Sequence, residues 1–278
     1  MKRLIQIELI KLQNNKASKV LISIYFLLLT SISLIVVIKF DIGPAKIHLA
    51  DQGIFNFPLI WHFNTYMAAI FKFFLLLVIV SMITNEYSNR TLKQNLIDGL
   101  SKKEFILSKF YLVLILAAVS TIFVFITSLI LGYFYSDFNE LGIVFSDLEY
   151  LLAFFVKLVG FFSFGLFLGM LIKRSAFAVG AMLVWYAIEG VIHLILMYFL
   201  GYKSYMIPKI KQFLPLEAIS NLIENPFGRL KALKTVASQV GEKFTYDYAV
   251  HWYEIAIVLA WTAIFIYASY RLLLKRDL

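Results

Sequence analysis

Six apolar runs decide what this chain can fold into: residues 20–38, 65–83, 110–134, 150–172, 176–200 and 252–272. A helix rises about 1.5 Å per residue and a bilayer's hydrocarbon core is about 30 Å thick, so about 20 apolar residues cross it. Every run has that length, and none contains a proline. In lipid each backbone N–H and C=O must be paired inside its own segment, which favours helices. The expectation is an all-α integral membrane protein with six transmembrane helices in a single domain, residues 1–278. Apolar residues make up 61% of the chain, which excludes a soluble fold of this size.

The first run follows a basic stretch, as a secretory signal does. It is too long for one, and no A-x-A site follows before Asp41, so it reads as a retained span. Ahead of it, residues 1–19 set Lys2, Arg3, Lys11, Lys16 and Lys19 around Ile5, Leu9 and Leu12, the pattern of an interfacial helix. The formal net charge of +9 would suit nucleic acid, but the basic residues sit in span-flanking loops and not on one face. Fifteen of the 26 Lys and Arg residues fall on the side that holds both termini, residues 85–109 and Lys173-Arg174, against nine opposite. The positive-inside rule then puts both termini in the cytoplasm and the chain in the cytoplasmic membrane. The chain has no cysteine, which removes disulfides, thiolate metal sites and cysteine catalysis. His48, His62, His193 and His251 show no metal-ligand spacing, so no metal and no cofactor is expected in this chain.

Between the spans, residues 39–64 read as an outer loop broken at Gly43-Pro44, with Phe55, Phe57, Trp61 and Phe63 at the membrane interface. Residues 135–149 are acidic. Gly165 and Gly169 form a G-x-x-x-G in the fourth span, a spacing that lets helices approach closely. Residues 201–250 form the longest stretch outside the spans. In it, Phe213–Ile223 is apolar enough for the interface and ends at Asn225-Pro226. Phe227–Tyr248 reads as a basic helical insertion carrying Arg229, Lys231 and Lys234.

The most charge-dense segment lies between the second and third runs, Asn85 to Lys109. Thr91 with Gln94 and Ser101 with Glu104 both have capping-box spacing, and Asp98-Gly99 supplies a helix stop. These signals predict a short helix over about Leu92–Asp98, a sharp turn, and a new helix from Lys102 into the third span. Leu92, Leu96 and Leu100 recur every four residues, so the short helix reads as an amphipathic knob presented to something. An ordinary capped loop has the same spacing.

The residues Glu86, Arg90-Thr91-Leu92, Asn95-Leu96, Ser101-Lys102-Lys103-Glu104 and Lys109 resemble the cytoplasmic loop of ABC type-2 transporter permeases. That motif runs roughly E-x-x-x-G-T-L, a hydrophobic pair, Ser-Arg/Lys and a further Lys; here Arg90 stands where the family has glycine. The resemblance implies that the short helix, from Glu86 through Asp98, Gly99, Ser101 and Glu104, is a coupling helix docking on a separate ABC ATPase. It implies that ATP and Mg are bound by that partner, that a second permease copy or homologue completes a dimer, and that export is the transport direction. It also implies a re-entrant helical pair between spans five and six, and motion of the first, second and fifth spans when the ATPases close. No G-x-x-x-x-G-K-[ST] phosphate loop occurs in the chain.

Lys72, Lys157, Glu189 and His193 fall well inside the runs, away from their ends. Lys72 and Lys157 lie about seven residues from the outer ends of their spans, roughly 10 Å deep. There they either snorkel outward or meet an anionic substrate. Glu189 is near the middle of the fifth span, where a carboxylate costs several kcal/mol, and His193 follows on the same helical face. The pair reads either as an internal hydrogen bond or as a polar spot on a translocation path or subunit interface. Two other functions fit parts of the pattern. An intramembrane protease would use Glu189 and His193 but needs more converging groups. An ion-driven carrier would have spans broken near mid-membrane.

Overall fold

The computed structural model describes residues 2–37, 40–42, 45–47, 53–201, 204–229 and 247–276. Two helices open the chain, α1 (Lys2–Asn14) and α2 (Lys16–Val37). Asn15 separates them, and its Oδ1 accepts the Ser18 amide at 3.2 Å, a side-chain N-cap for α2. A short antiparallel hairpin follows, β1 (Phe40–Ile42) with β2 (Ala45–Ile47), pairing Phe40 with Ile47; the Gly43-Pro44 breaker lies outside the described residues. Then come α3 (Leu59–Ile70), α4 (Lys72–Ser88), α5 (Thr91–Ile97), α6 (Lys102–Tyr135), α7 (Leu141–Val144), α8 (Glu149–Ile172) and α9 (Ser175–Leu200). Two short helices, α10 (Met206–Lys211) and α11 (Pro215–Asn221), lead through a 3-10 turn at Pro226–Arg229 to the last helix, α12 (Trp252–Leu274). Most of the expected basic insertion, with Lys231 and Lys234, lies outside the described residues.

Lys102–Tyr135, Leu141–Ile172, Ser175–Leu200 and Trp252–Leu274 are each long and apolar enough to cross a membrane. The second apolar run is not one straight helix over 65–83. It is the pair α3–α4, starting at Leu59, ending at Ser88 and bent by 45° at Phe71. Neither glycine nor proline marks that bend. α2 carries the first run as far as Val37.

α8 is the axis of the bundle. From Ala153 to Met170 only Phe155 and Phe167 are less than fully buried, and α8 packs on α3, α4, α6, α9, α11 and α12. Gly165 sets the spacing to α4, and Gly169 is not required for it. A Cβ built on Gly165 would overlap Leu76 Cδ1, while one on Gly169 would make ordinary contact with Ile83 at 3.6 Å. Buried polar pairs add direction, as where Tyr25 of α2 bonds Ser120 of α6. By contrast α9 buries only Ala178, Met182 and Glu189, leaving Phe177, Val184, Leu194, Tyr198 and Phe199 exposed. In water such a surface would aggregate; in a bilayer it faces lipid or another apolar helix.

The aromatic residues expected at an outer interface are instead buried together. Phe55, Phe57, Trp61 and Phe63 pack with Leu131, Val144 and Tyr150, closing the end of the bundle between α3, α6 and α7. Trp61 can be buried because its indole N–H donates to the Val144 carbonyl at 2.9 Å.

Candidate functional site

At the opposite end of the bundle α5 projects on a tight turn from α4. The Arg90 backbone is left-handed, φ +55°, at the position where the permease motif has glycine. A side chain there costs about 1–2 kcal/mol, which glycine avoids. The turn places Thr91 inside the first helical turn, so the expected Thr91–Gln94 capping box does not form. Thr91 Oγ1 instead reaches back to the Glu86 carbonyl at 3.5 Å, and Gln94 Nε2 donates forward to Asp98 at 3.0 Å. The exit of α5 follows the local signals. Gly99 is left-handed at φ +94°, with the Leu100 amide bonded to the Asn95 carbonyl and the Gly99 amide to the Leu96 carbonyl, a Schellman stop. The Ser101–Glu104 capping box then starts α6: Glu104 N donates to Ser101 Oγ at 3.2 Å, and Ser101 N to Glu104 Oε2 at 2.9 Å.

The apolar edge of α5 faces inward and not outward. Leu92 is 1% exposed in the main core, and Leu96 and Leu100 pack against that core. They seat α5 on its own chain. Its outer surface consists of Lys93, Gln94 and Asp98 around Ile97, which is 70% exposed.

Beneath α5 lies a buried ionic cluster joining four helices. Lys109 of α6, 1% exposed, donates to Glu8 Oε2 of α1 at 2.8 Å and to Glu86 of α4. Glu86 Oε1 also accepts from Lys11 of α1 at 2.8 Å, and Glu86 Oε2 from Asn95 Nδ2 of α5 at 2.8 Å. Ser108 Oγ donates to Glu8 Oε1 at 3.1 Å. Glu86, Asn95 and Lys109 belong to the motif read from sequence; Glu8, Lys11 and Ser108 do not. The signal for them was Glu8 itself, the one acid among the first forty residues, set in a basic helix. α1 is thus not simply an interfacial helix: its acid is drawn into the bundle. The C-terminal tail binds the same end. Arg276 donates to the Tyr87 hydroxyl at 3.0 Å and to the Met170 and Leu171 carbonyls that end α8, while Lys102 Nζ reaches the Arg276 carbonyl at 3.1 Å.

Two of the polar residues inside the spans, Glu189 and Lys157, meet at α11. Glu189 does not bond His193. Its Oε1 accepts the Leu216 amide at 3.0 Å and the Trp185 indole at 2.7 Å, and its Oε2 accepts the Glu217 amide at 2.8 Å. The carboxylate therefore caps the start of α11. Lys157 does not snorkel: it is 4% exposed, and its Nζ donates to the Ser220 and Ile223 carbonyls at 2.9 and 3.5 Å, at the end of α11. A negative group at the helix start and a positive one at its end both complement the helix dipole. Lys72, directly after the Phe71 bend, is also buried, with its Nζ 4.4 Å from the centre of the Phe161 ring. Glu189→Leu should leave two α11 amides and the Trp185 indole unpaired, each costing about 1–3 kcal/mol. Thermal unfolding in detergent should show a clearly lowered transition, with Glu189→Gln affected less because one amide oxygen remains to accept. A wild-type transition for Glu189→Leu would show that α11 does not depend on it.

Known proteins bear on these geometries in one way. No curated protein matches the chain. The sequence model of the ABC-2 family transporter proteins matches residues 8–278. That match takes in α5 and its ionic cluster together with every apolar run, and the chain accordingly belongs to the ABC-2 transporter family, as a multi-pass membrane permease.

Proposed function

We propose that this permease is the membrane subunit of an ATP-driven exporter, with α5 as the coupling helix that receives a separate ABC ATPase. The observation that carries the reading is the joint beneath α5. Asn95, Glu86, Lys109, Glu8 and Lys11 tie it to α1, α4 and α6, so a push on α5 is delivered to three other helices at once. Packed interfaces of this kind shift between discrete arrangements and do not bend smoothly. The exposed Lys93, Gln94 and Ile97 supply a docking face, and ATP and Mg belong to the partner. The substrate path would run along the bundle, with a second copy or a homologue set against an exposed helix such as α9. Six spans in one transmembrane domain put α5 and both termini in the cytoplasm, with α2 as the first span, α3–α4 the second, and α10–α11 the re-entrant pair.

The intramembrane-enzyme reading is weakened because both Glu189 oxygens are engaged by amides and an indole. The bend at Phe71 favours an ion-driven carrier; membership of the ABC-2 family outweighs it.

The test is affinity purification of the tagged chain from host membranes in mild detergent. A co-purifying protein with a Walker phosphate loop and ATPase activity is expected. A chain that transports with no ATPase attached contradicts the proposal. Orientation is checked separately in the cysteine-free background. Asn139→Cys should react with an impermeant thiol reagent in whole cells and Lys103→Cys should not; the reverse labelling would invert the topology.

A further inference from the structure

The joint beneath α5 leaves a second polar feature unexplained, a cavity of about 380 Å³ between the α3–α4 bend, α8 and the end of α11. Two buried ammonium groups line it, Lys72 and Lys157. Lys157 lies eight residues into α8 from Glu149, about 12 Å along the helix from the end opposite α5.

An ammonium carries three N–H donors and no acceptor. Lys157 uses two of its donors on the Ser220 and Ile223 carbonyls. Lys72 has no hydrogen bond and no carboxylate within ion-pair distance among the described residues; the Phe161 ring covers one side of it. A ring face is a weak partner for a charge withdrawn from water. Both lysines face the same cavity, so their charges share one small polar space. The acid that lines the cavity, Glu224, forms no ion pair with either lysine among the described residues, and burial holds its carboxyl above the usual carboxylate range. Tyr66, Asn221 and Asn225 add neutral polar groups at the wall, and Ile70 and Phe73 an apolar side.

Lys72 is thus left without an anionic partner among the described residues. We propose that the cavity is a binding site for a phosphate-type oxyanion, held between Lys72 and Lys157, as a free ion or as the head of an amphiphile whose apolar part lies along Ile70 and Phe73. The oxyanion would accept from the donors that Lys72 leaves unused. α11 holds one wall of the site, because Lys157 also binds the end of that helix. The site lies at the opposite end from α5 and does not depend on the ATPase-docking reading; its test needs no ATPase.

The experiment is calorimetric titration of the purified full chain in dodecyl maltoside with dodecyl phosphate, and separately with inorganic phosphate. Saturable binding of one probe per chain is expected. Lys72→Gln should weaken it by about tenfold or more, the effect of losing one charged hydrogen-bonding partner, while Lys72→Arg retains most of it. Lys72→Gln should unfold no lower than wild type without ligand, because it removes a poorly partnered buried charge and Lys72 holds no backbone group. Inorganic phosphate binding as tightly as dodecyl phosphate identifies a free oxyanion as the ligand; binding that requires the alkyl chain identifies an amphiphile. Failure of both probes to saturate, or binding unchanged in Lys72→Gln, overturns the site.

Discussion

Lys109→Met should destabilise the protein by about 3–5 kcal/mol, the usual effect of removing one member of a buried ion cluster. Lys109 is 1% exposed and stands between Glu8 and Glu86, themselves 2% and 4% exposed. Without its ammonium two carboxylates face each other with little water, and Lys11, at the partly exposed edge, can reach mainly Glu86. The variant should unfold well below wild type in detergent, with most of the protein lost on extraction. Neutralising the acids as well, in Glu8→Gln/Glu86→Gln/Lys109→Met, should recover most of the loss, since replacing a whole buried cluster costs far less than breaking it. The recovered protein should nevertheless transport poorly, because α5 would then hang on fewer bonds. Lys109→Met unfolding at the wild-type temperature would mean that water reaches the cluster.

What could be read from sequence was what local chemistry decides. The Gly99 stop and the Ser101–Glu104 box depend on neighbours within five residues, and both are present. The apolar runs have the required length whatever surrounds them. Thr91 failed as a cap because the left-handed Arg90 turn, a backbone state that arginine does not advertise, moved the helix start by one residue. The bend at Phe71 has no glycine or proline to announce it. The direction of Leu92 and Leu96 could not be settled by period alone, since an apolar edge looks the same whether it meets its own bundle or a partner. Glu8 meeting Lys109, and Glu189 meeting the Leu216 amide, join residues 101 and 27 positions apart. Only the packing of the helices brings them together.

The second large effect concerns the outward face of α5. Ile97→Asp with Lys93→Glu changes two exposed residues, so stability should move by no more than about 0.5 kcal/mol. ATPase association should weaken by about 30-fold or more, because an apolar anchor at the centre of a small interface commonly contributes about 2 kcal/mol or more. Leu92→Ser should act differently. It opens the seat of α5 and lowers stability as well as coupling, so the two variants separate docking from folding.

The central claim is that α5 touches the ATPase with this face. A photoreactive benzoylphenylalanine at position 97, irradiated in membranes that contain the ATPase, tests it most directly. A covalent adduct between the two proteins is expected from position 97 and none from position 126 on the exposed apolar face of α6. An adduct from position 139, at the other end of the bundle, with none from position 97, would contradict it.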